Sequence, residues 1–296
     1  MSGLPELSES EHAAAGRALR SSAGPALAEA MFSAALGRPV EDDLSLRRAI
    51  ALRWLDADSQ PTDLGSLVCD PLREFVFWER RERQLPSEEL SPVLARPRFS
   101  GKDVLEVGSG GGCNLLSLSG LPNRLVGVEP MPLYRQFSPL LASMAGLPAP
   151  EVVAGWGRDL PFESASFDTV LCYSAHQYMR VDVAIAEMAR VLRPSGRLIL
   201  VGNTLLPFAG ESVVRFALGR SLGTLKYDLT AIANTLAYQL RGRRAVRGAE
   251  DRTTSTPIYP TRGHLFRAAR RAGLVPAIHD LRALPSGETL FVATRR

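Results

Sequence analysis

Two acidic residues stand where a strand would hand over to a ligand. Glu106 lies near the end of the short apolar run Asp103-Val104-Leu105-Glu106-Val107, and Glu129 follows Arg124-Leu125-Val126-Gly127-Val128. Between them runs Gly108-Ser109-Gly110-Gly111-Gly112-Cys113-Asn114, then Leu115-Leu116-Ser117-Leu118. A buried strand, a glycine turn and a helix start make a nucleotide-binding device. Glycine lets the backbone pass close to the ligand, and free N–H groups at the helix start face it. The carboxylate matters more than the glycines. Glu106 would repel a pyrophosphate but hold an ammonium or ribose hydroxyls. That points to S-adenosylmethionine, a nucleoside carrying an amino acid and no phosphate. A dinucleotide site of the form Gly-x-Gly-x-x-Gly would need glycine at Cys113, so the strict pattern fails. Glu129 suits either ligand, because an acid about 20 residues on binds the ribose.

A third residue able to do chemistry is His176, in Ser174-Ala175-His176-Gln177-Tyr178-Met179. Histidine titrates near neutral pH without special tuning, so it suits a base that takes a hydroxyl proton. A lone histidine beside a pocket serves equally as a hydrogen-bonded wall. His264 and His279 fall in a helix and a strand of the tail and read as structural, and His12 in the first helix reads as solvated. Cys69, Cys113 and Cys172 are far apart and lack zinc spacing, and no acidic cluster suggests a catalytic metal, so no metal is expected.

The elements that must position these residues alternate. After the glycine turn come the strand ending at Glu129, a helix over 131–145, a short strand at Glu151-Val152-Val153-Ala154, a strand after Ser166, a helix over 181–192 and a strand into Leu200. The tail adds a helix ending at Ala272-Gly273 and strands around 275–281 and 288–294, joined by Pro285-Ser286-Gly287. Alternation of this kind predicts a doubly wound α/β sheet. Ligands of such sheets sit outside the carboxyl ends of the strands. That selects Glu106–Asn114, Glu129–Met131, Trp156–Leu160 and Cys172–Tyr178.

Residues 1–96 read as a helical cap. Ser8 and Glu11 have capping-box spacing, and Gly24-Pro25 divides two helices. A further helix covers 41–56, and an amphipathic one 71–83, with Phe75, Phe77 and Trp78 opposite Arg73, Glu74, Arg80 and Arg81. Trp54-Leu55 followed by Thr62-Asp63-Leu64-Gly65 resembles the helix-and-wing end of a winged-helix module, of the kind found in DNA regulators and as a dimerisation arm. Pro86, Pro92 and Pro97 place the domain boundary near residue 97. Residues 204–261 form an insertion with helical segments at 210–221 and 226–241, followed by Arg241-Gly242-Arg243-Arg244-Ala245-Val246-Arg247. The insertion reads as a substrate lid or as a solvated basic face.

The acid followed by Gly108, Gly110 and Gly112 resembles the first motif of the class I S-adenosylmethionine-dependent methyltransferases. Leu160-Pro161-Phe162 with Ser166-Phe167-Asp168, and Arg190-Val191-Leu192-Arg193-Pro194-Ser195-Gly196, resemble the subgroup of the ubiquinone and menaquinone biosynthesis enzymes. The resemblance covers about 97–203 and resumes at 262–296. It implies a seven-stranded Rossmann-like sheet with an antiparallel last strand. It also implies roles. Glu106, Gly108, Ser109, Gly110, Gly112 and Asn114 would serve the methionine end. Glu129 would bind the ribose, with Pro130 and Met131 against the adenine. Trp156, Gly157, Arg158, Asp159 and Leu160 would form the adenine loop, and Tyr173 and Ser174 would close the cofactor side. Gln177 and Tyr178 would meet the acceptor. Two positions depart from the subgroup. Trp156 stands where an acid is common, with Asp159 as its replacement or Trp156 itself stacked on the purine. A histidine pair after the fourth strand is reduced here to His176.

Hydrophobic residues at 45% and charged residues at 22% are ordinary for a soluble globular chain of 296 residues. The net charge of +4 does not by itself imply nucleic acid, since phosphate backbones are bound by basic clusters. The segment Met1-Ser2-Gly3-Leu4-Pro5-Glu6 lacks a basic stretch followed by an apolar core, and no apolar run approaches membrane length, so a cytoplasmic protein is expected. The leading expectation is methyl transfer from S-adenosylmethionine to a small-molecule acceptor, a hydroxyl of a specialised metabolite, with no nucleic-acid or membrane partner and a homodimer allowed. C- or N-methylation of an anionic small molecule is the alternative within the family. A DNA-binding regulator with a ligand-sensing methyltransferase-like domain is the alternative from another class. Residues 41–56 argue against it, because Glu41, Asp42 and Asp43 offset Arg47 and Arg48.

Overall fold

The computed structural model describes residues 4–85, 91–217, 222–241, 257–276, 282–283 and 289–296. Its strands are β1 (Asp103–Val107), β2 (Arg124–Val128), β3 (Glu151–Val153), β4 (Phe167–Tyr173), β5 (Leu192–Gly202), β6 (Leu274–Pro276), β7 (Arg282–Ala283) and β8 (Thr289–Arg295). They belong to one mixed sheet. The sequence implies seven strands; the eighth is the two-residue β7, which pairs only with β8. His279, the turn Pro285-Ser286-Gly287, Pro86 and the arginines 243, 244 and 247 lie outside the described residues.

The chain divides into two compact units. The first comprises Met1–Ser100 and Ser109–Ala154. It opens with α1 (Glu9–Leu19), closed by the expected capping box: Ser8 N–H donates to Glu11 Oε2 at 2.9 Å, and Glu11 N–H donates to Ser8 Oγ at 3.4 Å. In α2 (Gly24–Ala35), Pro25 occupies the first turn, where its missing N–H costs nothing. Asp42 caps α3 (Asp43–Ala51). The Thr62-x-x-Gly65 segment, which resembles a wing turn, is instead a helix cap. Thr62 Oγ1 accepts the Gly65 N–H at 3.0 Å and starts α4 (Asp63–Arg80), eight residues before the amphipathic pattern begins. Between α3 and α4 the described residues show only an isolated bridge, Leu55 to Pro61.

The same unit holds α5 (Cys113–Ser117), α6 (Pro132–Ala145) and the parallel pair β2–β3. One apolar cluster joins Leu19, Met31, Leu72 and Phe75 of the N-terminal helices to Leu116 of α5 and Phe137 and Leu141 of α6. Trp78 Nε1 donates to Ser117 Oγ at 2.8 Å inside it. His12 is half-buried and places Nε2 3.2 Å from the Gln136 carbonyl of α6, so it is a packing contact and not a solvated side chain.

The second unit comprises Gly101–Gly108 and Gly155–Arg296. Its strands run in the order β1-β4-β5-β8-β6, with β1, β4 and β5 parallel and β8 antiparallel to both β5 and β6. The antiparallel last strand is the one the resemblance implies. Leu198-Ile199-Leu200-Val201 of β5 are all buried, the continuous apolar run of a strand covered on both faces. The motif residues tie this unit together. Arg193 donates to Asp103 at 2.7 Å and to Asp168 at 3.0 Å, and the Asp103 N–H donates to Asp168 at 2.8 Å, which aligns the starts of β1, β4 and β5. On α7 (Val181–Val191), Arg190 holds Glu187 in a two-pronged pair and donates to the carbonyls of Leu160 and Phe162.

The insertion forms α8 (Leu205–Ala217) and α9 (Leu222–Arg241), and α10 (Arg262–Arg271) follows. Leu205 and Phe208 pack on Ala231 and Tyr259, with the Phe208 and Tyr259 rings stacked at 3.9 Å. The Tyr238 hydroxyl donates to Asp182 of α7, and the Tyr259 N–H donates to Thr235 Oγ1 at 2.9 Å. The described part of the insertion is therefore a packed layer of this unit.

Candidate active site

In the first unit the site is the glycine turn and the acid that follows β2. The Ser109 N–H donates to the Val128 carbonyl at 3.2 Å, which seats the turn on the end of β2. The Gly110 N–H donates to Glu129 Oε2 at 3.0 Å, and the Met131 N–H donates to Glu129 Oε1 at 2.9 Å. Both oxygens of a buried carboxylate are thus aimed by backbone amides. Burial pushes the Glu129 carboxyl up, against the pull of those amides and of Arg135. Gly112 sits at φ 82° directly before α5, a left-handed position that favours glycine. Met131 is buried, while Pro130 and Asn114 are half-buried.

A residue from the polar side of the amphipathic pattern in 71–83 belongs here. Glu74 of α4 accepts the Gly111 N–H at 2.9 Å. A Cβ on Gly110, which sits at φ 55°, would lie 2.5 Å from Glu74 Oε1, so a side chain there would displace this carboxylate. No local pattern could have singled it out, because one acid on an amphipathic helix looks like any other.

In the second unit, Glu106 is buried in β1 opposite Leu171 of β4. Gly108 at φ 74° passes so close to Ala175 that a Cβ would sit 2.3 Å from the alanine Cβ. At the end of β4, Tyr173 is buried and Ser174 is held at φ 47°, its N–H bonded to the Val201 carbonyl at 2.7 Å. A non-glycine residue in the left-handed region at a strand end is the kind of strain that gathers at functional sites. Trp156-Gly157-Arg158-Asp159 is a tight turn: the Asp159 N–H donates to the Trp156 carbonyl at 3.0 Å, and the Arg158 guanidinium covers the half-buried indole at 4.8 Å. Leu160 is buried, and its N–H donates to Glu187 at 3.0 Å.

His176 lies in a 3-10 turn, His176–Tyr178, and is 2% exposed. A Cβ on Gly202 would be 2.7 Å from its Cε1, so the ring lies against bare β5 backbone. Neither ring nitrogen has a hydrogen-bond partner among the described residues. Burial holds the imidazole down at about 4, so it is neutral at physiological pH. Gln177 is buried beside it, and its carbonyl accepts the Ile258 N–H at 2.7 Å, which pins the turn under the return arm of the insertion. Tyr178 is half-buried. The cysteines are buried and form no disulfide among the described residues, and burial pushes the Cys172 thiol up to about 12 and Cys69 to about 11, so neither of those two is a nucleophile at neutral pH.

These residues fit S-adenosylmethionine better than a dinucleotide. The glycine turn carries carboxylates and no basic side chain, and the buried Ser109 hydroxyl on it has no partner among the described residues. Glu129 would hold the ribose and the turn amides and carboxylates the aminoacyl end.

Comparison with known proteins agrees. Residues 105–200 match the family model described as a methyltransferase domain. The phthiotriol/phenolphthiotriol dimycocerosates methyltransferase 1 of Mycobacterium ulcerans is 34% identical over 152 residues, covering 50% of this chain and 51% of that protein. The fatty-acid O-methyltransferase of Mycolicibacterium smegmatis is 41% identical over 107 residues, covering 35% of this chain and 38% of that protein. The chain thus spans about half the length, or less, of these curated relatives. Among solved structures, the PH0226 protein of Pyrococcus horikoshii is similar at 19% identity and a TM-score of 0.49, covering 74% of this chain and 92% of that one. Neither named relative is a ubiquinone or menaquinone enzyme, so the subgroup is not singled out. Residues 105–200 are thus similar to a methyltransferase domain, and this is the segment in which the chain resembles the class I S-adenosylmethionine-dependent methyltransferases.

Proposed function

We propose that the protein methylates an oxygen of an apolar small-molecule acceptor, a hydroxyl or carboxylate on a long-chain or similarly greasy skeleton. The observation that carries this is the insertion. Its inner face packs on Tyr259, whose arm covers the His176 turn. Its outer face keeps apolar stripes in solvent: Leu206, Val213 and Val214 on α8, and Leu229, Leu236 and Leu240 on α9. Spacings of seven, eight and eleven residues place each stripe on one side of its helix. Six exposed Leu and Val side chains on two neighbouring helices are more than the scattered apolar residues of an ordinary surface. The relative named as a fatty-acid O-methyltransferase supports the same acceptor class.

S-adenosylmethionine supplies the electrophilic methyl carbon. The acceptor oxygen forms the O–C bond as the C–S bond breaks, and the demethylated nucleoside leaves with the electron pair. A carboxylate acceptor has no proton to lose. A hydroxyl acceptor gives its proton to a base, for which neutral His176 is the candidate, and proximity of oxygen and methyl supplies much of the rate.

The test is incubation with methyl-labelled S-adenosylmethionine and panels of fatty acids, long-chain alcohols, and short polar phenols and carboxylates. Label is expected in methyl esters or ethers of the apolar panel. Label confined to the polar panel overturns the acceptor class, and label on carbon or nitrogen overturns O-methylation.

A further inference from the structure

We propose that Glu74, contributed by the N-terminal helix α4, is a cofactor-positioning residue whose carboxylate meets the cationic methionyl end of the nucleoside and couples its binding to pH. The inference rests on the cofactor assigned to the glycine turn and goes beyond it by adding a residue from outside residues 105–200.

Two carboxylates share the turn. Consecutive amides hold them, Gly110 on Glu129 and Gly111 on Glu74, at 3.0 and 2.9 Å. Glu74 is half-buried against the turn, and a Cβ on Gly110 would lie 2.5 Å from its Oε1. Two like charges held together in a poorly solvated place repel, and a bound cation relieves them. Among the described residues, Arg73 is the basic group that acts on Glu74. The groups that act on it from every side are Asp70 and Arg73 of its own helix, the Gly111 amide, and Glu129. Tyr134 of α6 is a half-buried phenol whose own pKa is driven up by desolvation and by Glu74, and Arg135 is turned to the Glu129 carbonyl at 2.7 Å. A ligand carrying an ammonium and a sulfonium provides what is missing.

Desolvation, with Glu129 and Asp70 adding to it against the Gly111 amide, lifts the Glu74 carboxyl to about 7. Below that value the free protein holds Glu74 protonated. A cation that binds the ionised form must expel the proton, so binding weakens as pH falls below about 7, by up to tenfold per pH unit, and levels off above it.

Calorimetric titration of the full chain with S-adenosylmethionine, and separately with its demethylated product, between pH 5.5 and 8.5 in two buffers of different ionisation heat tests this. The expected result is affinity rising with pH to a plateau above about 7, with a proton released per nucleoside bound at pH 6. Glu74→Gln is expected to bind with little pH dependence and no proton release, and Glu74→Asp to keep both. A flat wild-type profile without proton release overturns the proposal even if no variant folds. So does a Glu74→Gln profile as steep as the wild type's, which would assign the titration to Glu129. Failure of either nucleoside to bind at any pH instead sinks the cofactor assignment, and this inference with it.

Discussion

His176 combines a place at the end of β4 with near-complete burial, and the two have opposite consequences. Its folded value of about 4 lies below the ordinary 6.5, so the folded protein refuses a proton that the unfolded chain accepts. The folded state therefore loses stability as pH falls from about 6.5 to about 4, by up to about 3 kcal/mol at 1.36 kcal/mol per unit. His176→Asn, which cannot titrate, should remove that slope, and urea unfolding of both proteins at pH 4.5 and 7.5 measures it. For catalysis, a hydroxyl acceptor should make His176→Asn about 10²–10⁴-fold slower at saturating cofactor. The wild-type turnover should show no ascending limb from this residue between pH 6 and 8. Equal turnover in the variant on an alcohol acceptor would remove the base role and leave a wall residue.

At the scale of elements, the insertion is joined to the site by its inner face and left open on its outer one. Leu206 at 79% exposure and Leu240 at 82% make few packing contacts, so Leu206→Ser with Leu240→Ser should leave stability within about 0.5 kcal/mol. If the stripes receive an apolar acceptor, the same pair should raise the KM for a long-chain acceptor by about tenfold, at roughly 1.4 kcal/mol of lost apolar contact. Steady-state kinetics against a long and a short acceptor separate the outcomes, and an unchanged KM for both would place the stripes outside acceptor recognition. The Arg193 clamp on Asp103 and Asp168 has another purpose. It aligns the starts of β1, β4 and β5, so this part of the Arg190–Gly196 motif holds the fold.

For the molecule as a whole, residues 1–96 are part of a core. Leu72 and Phe75 are buried in one cluster with Phe137 and Leu141, and Trp78 is bonded to Ser117. Removing them would bare the apolar sides of α5 and α6 and delete Glu74. A chain starting at residue 97 is therefore expected to aggregate instead of yielding a soluble nucleoside-binding core. Gel filtration and titration with the demethylated nucleoside check this, and a monodisperse fragment with wild-type affinity would show the N-terminal helices to be dispensable. Among the described residues no helix is long and apolar enough to cross a membrane.

The sheet was readable because its cues are local. Apolar runs, a glycine turn, Pro25 and the Ser8–Glu11 pair each act within a few residues, and α1, α2, α6 and α7 begin and end close to where spacing puts them. The acids at 106 and 129 were readable for the same reason: a strand end followed by glycine is a short-range pattern. Thr62 misled because a threonine before a glycine suits a wing turn and a helix cap alike, and only the packing of α4 on α2 chooses the cap. What no stretch of sequence could state is which distant side chains converge. Glu74 reaches Gly111 across 37 positions, and His176 loses its water to Gly202 and to the arm at Ile258. Residue types and their spacing thus determined the sheet and the nucleoside. Tertiary structure decided how charged, how buried and how basic the groups around that nucleoside are, because desolvation and like-charge repulsion depend on distance through space and not along the chain.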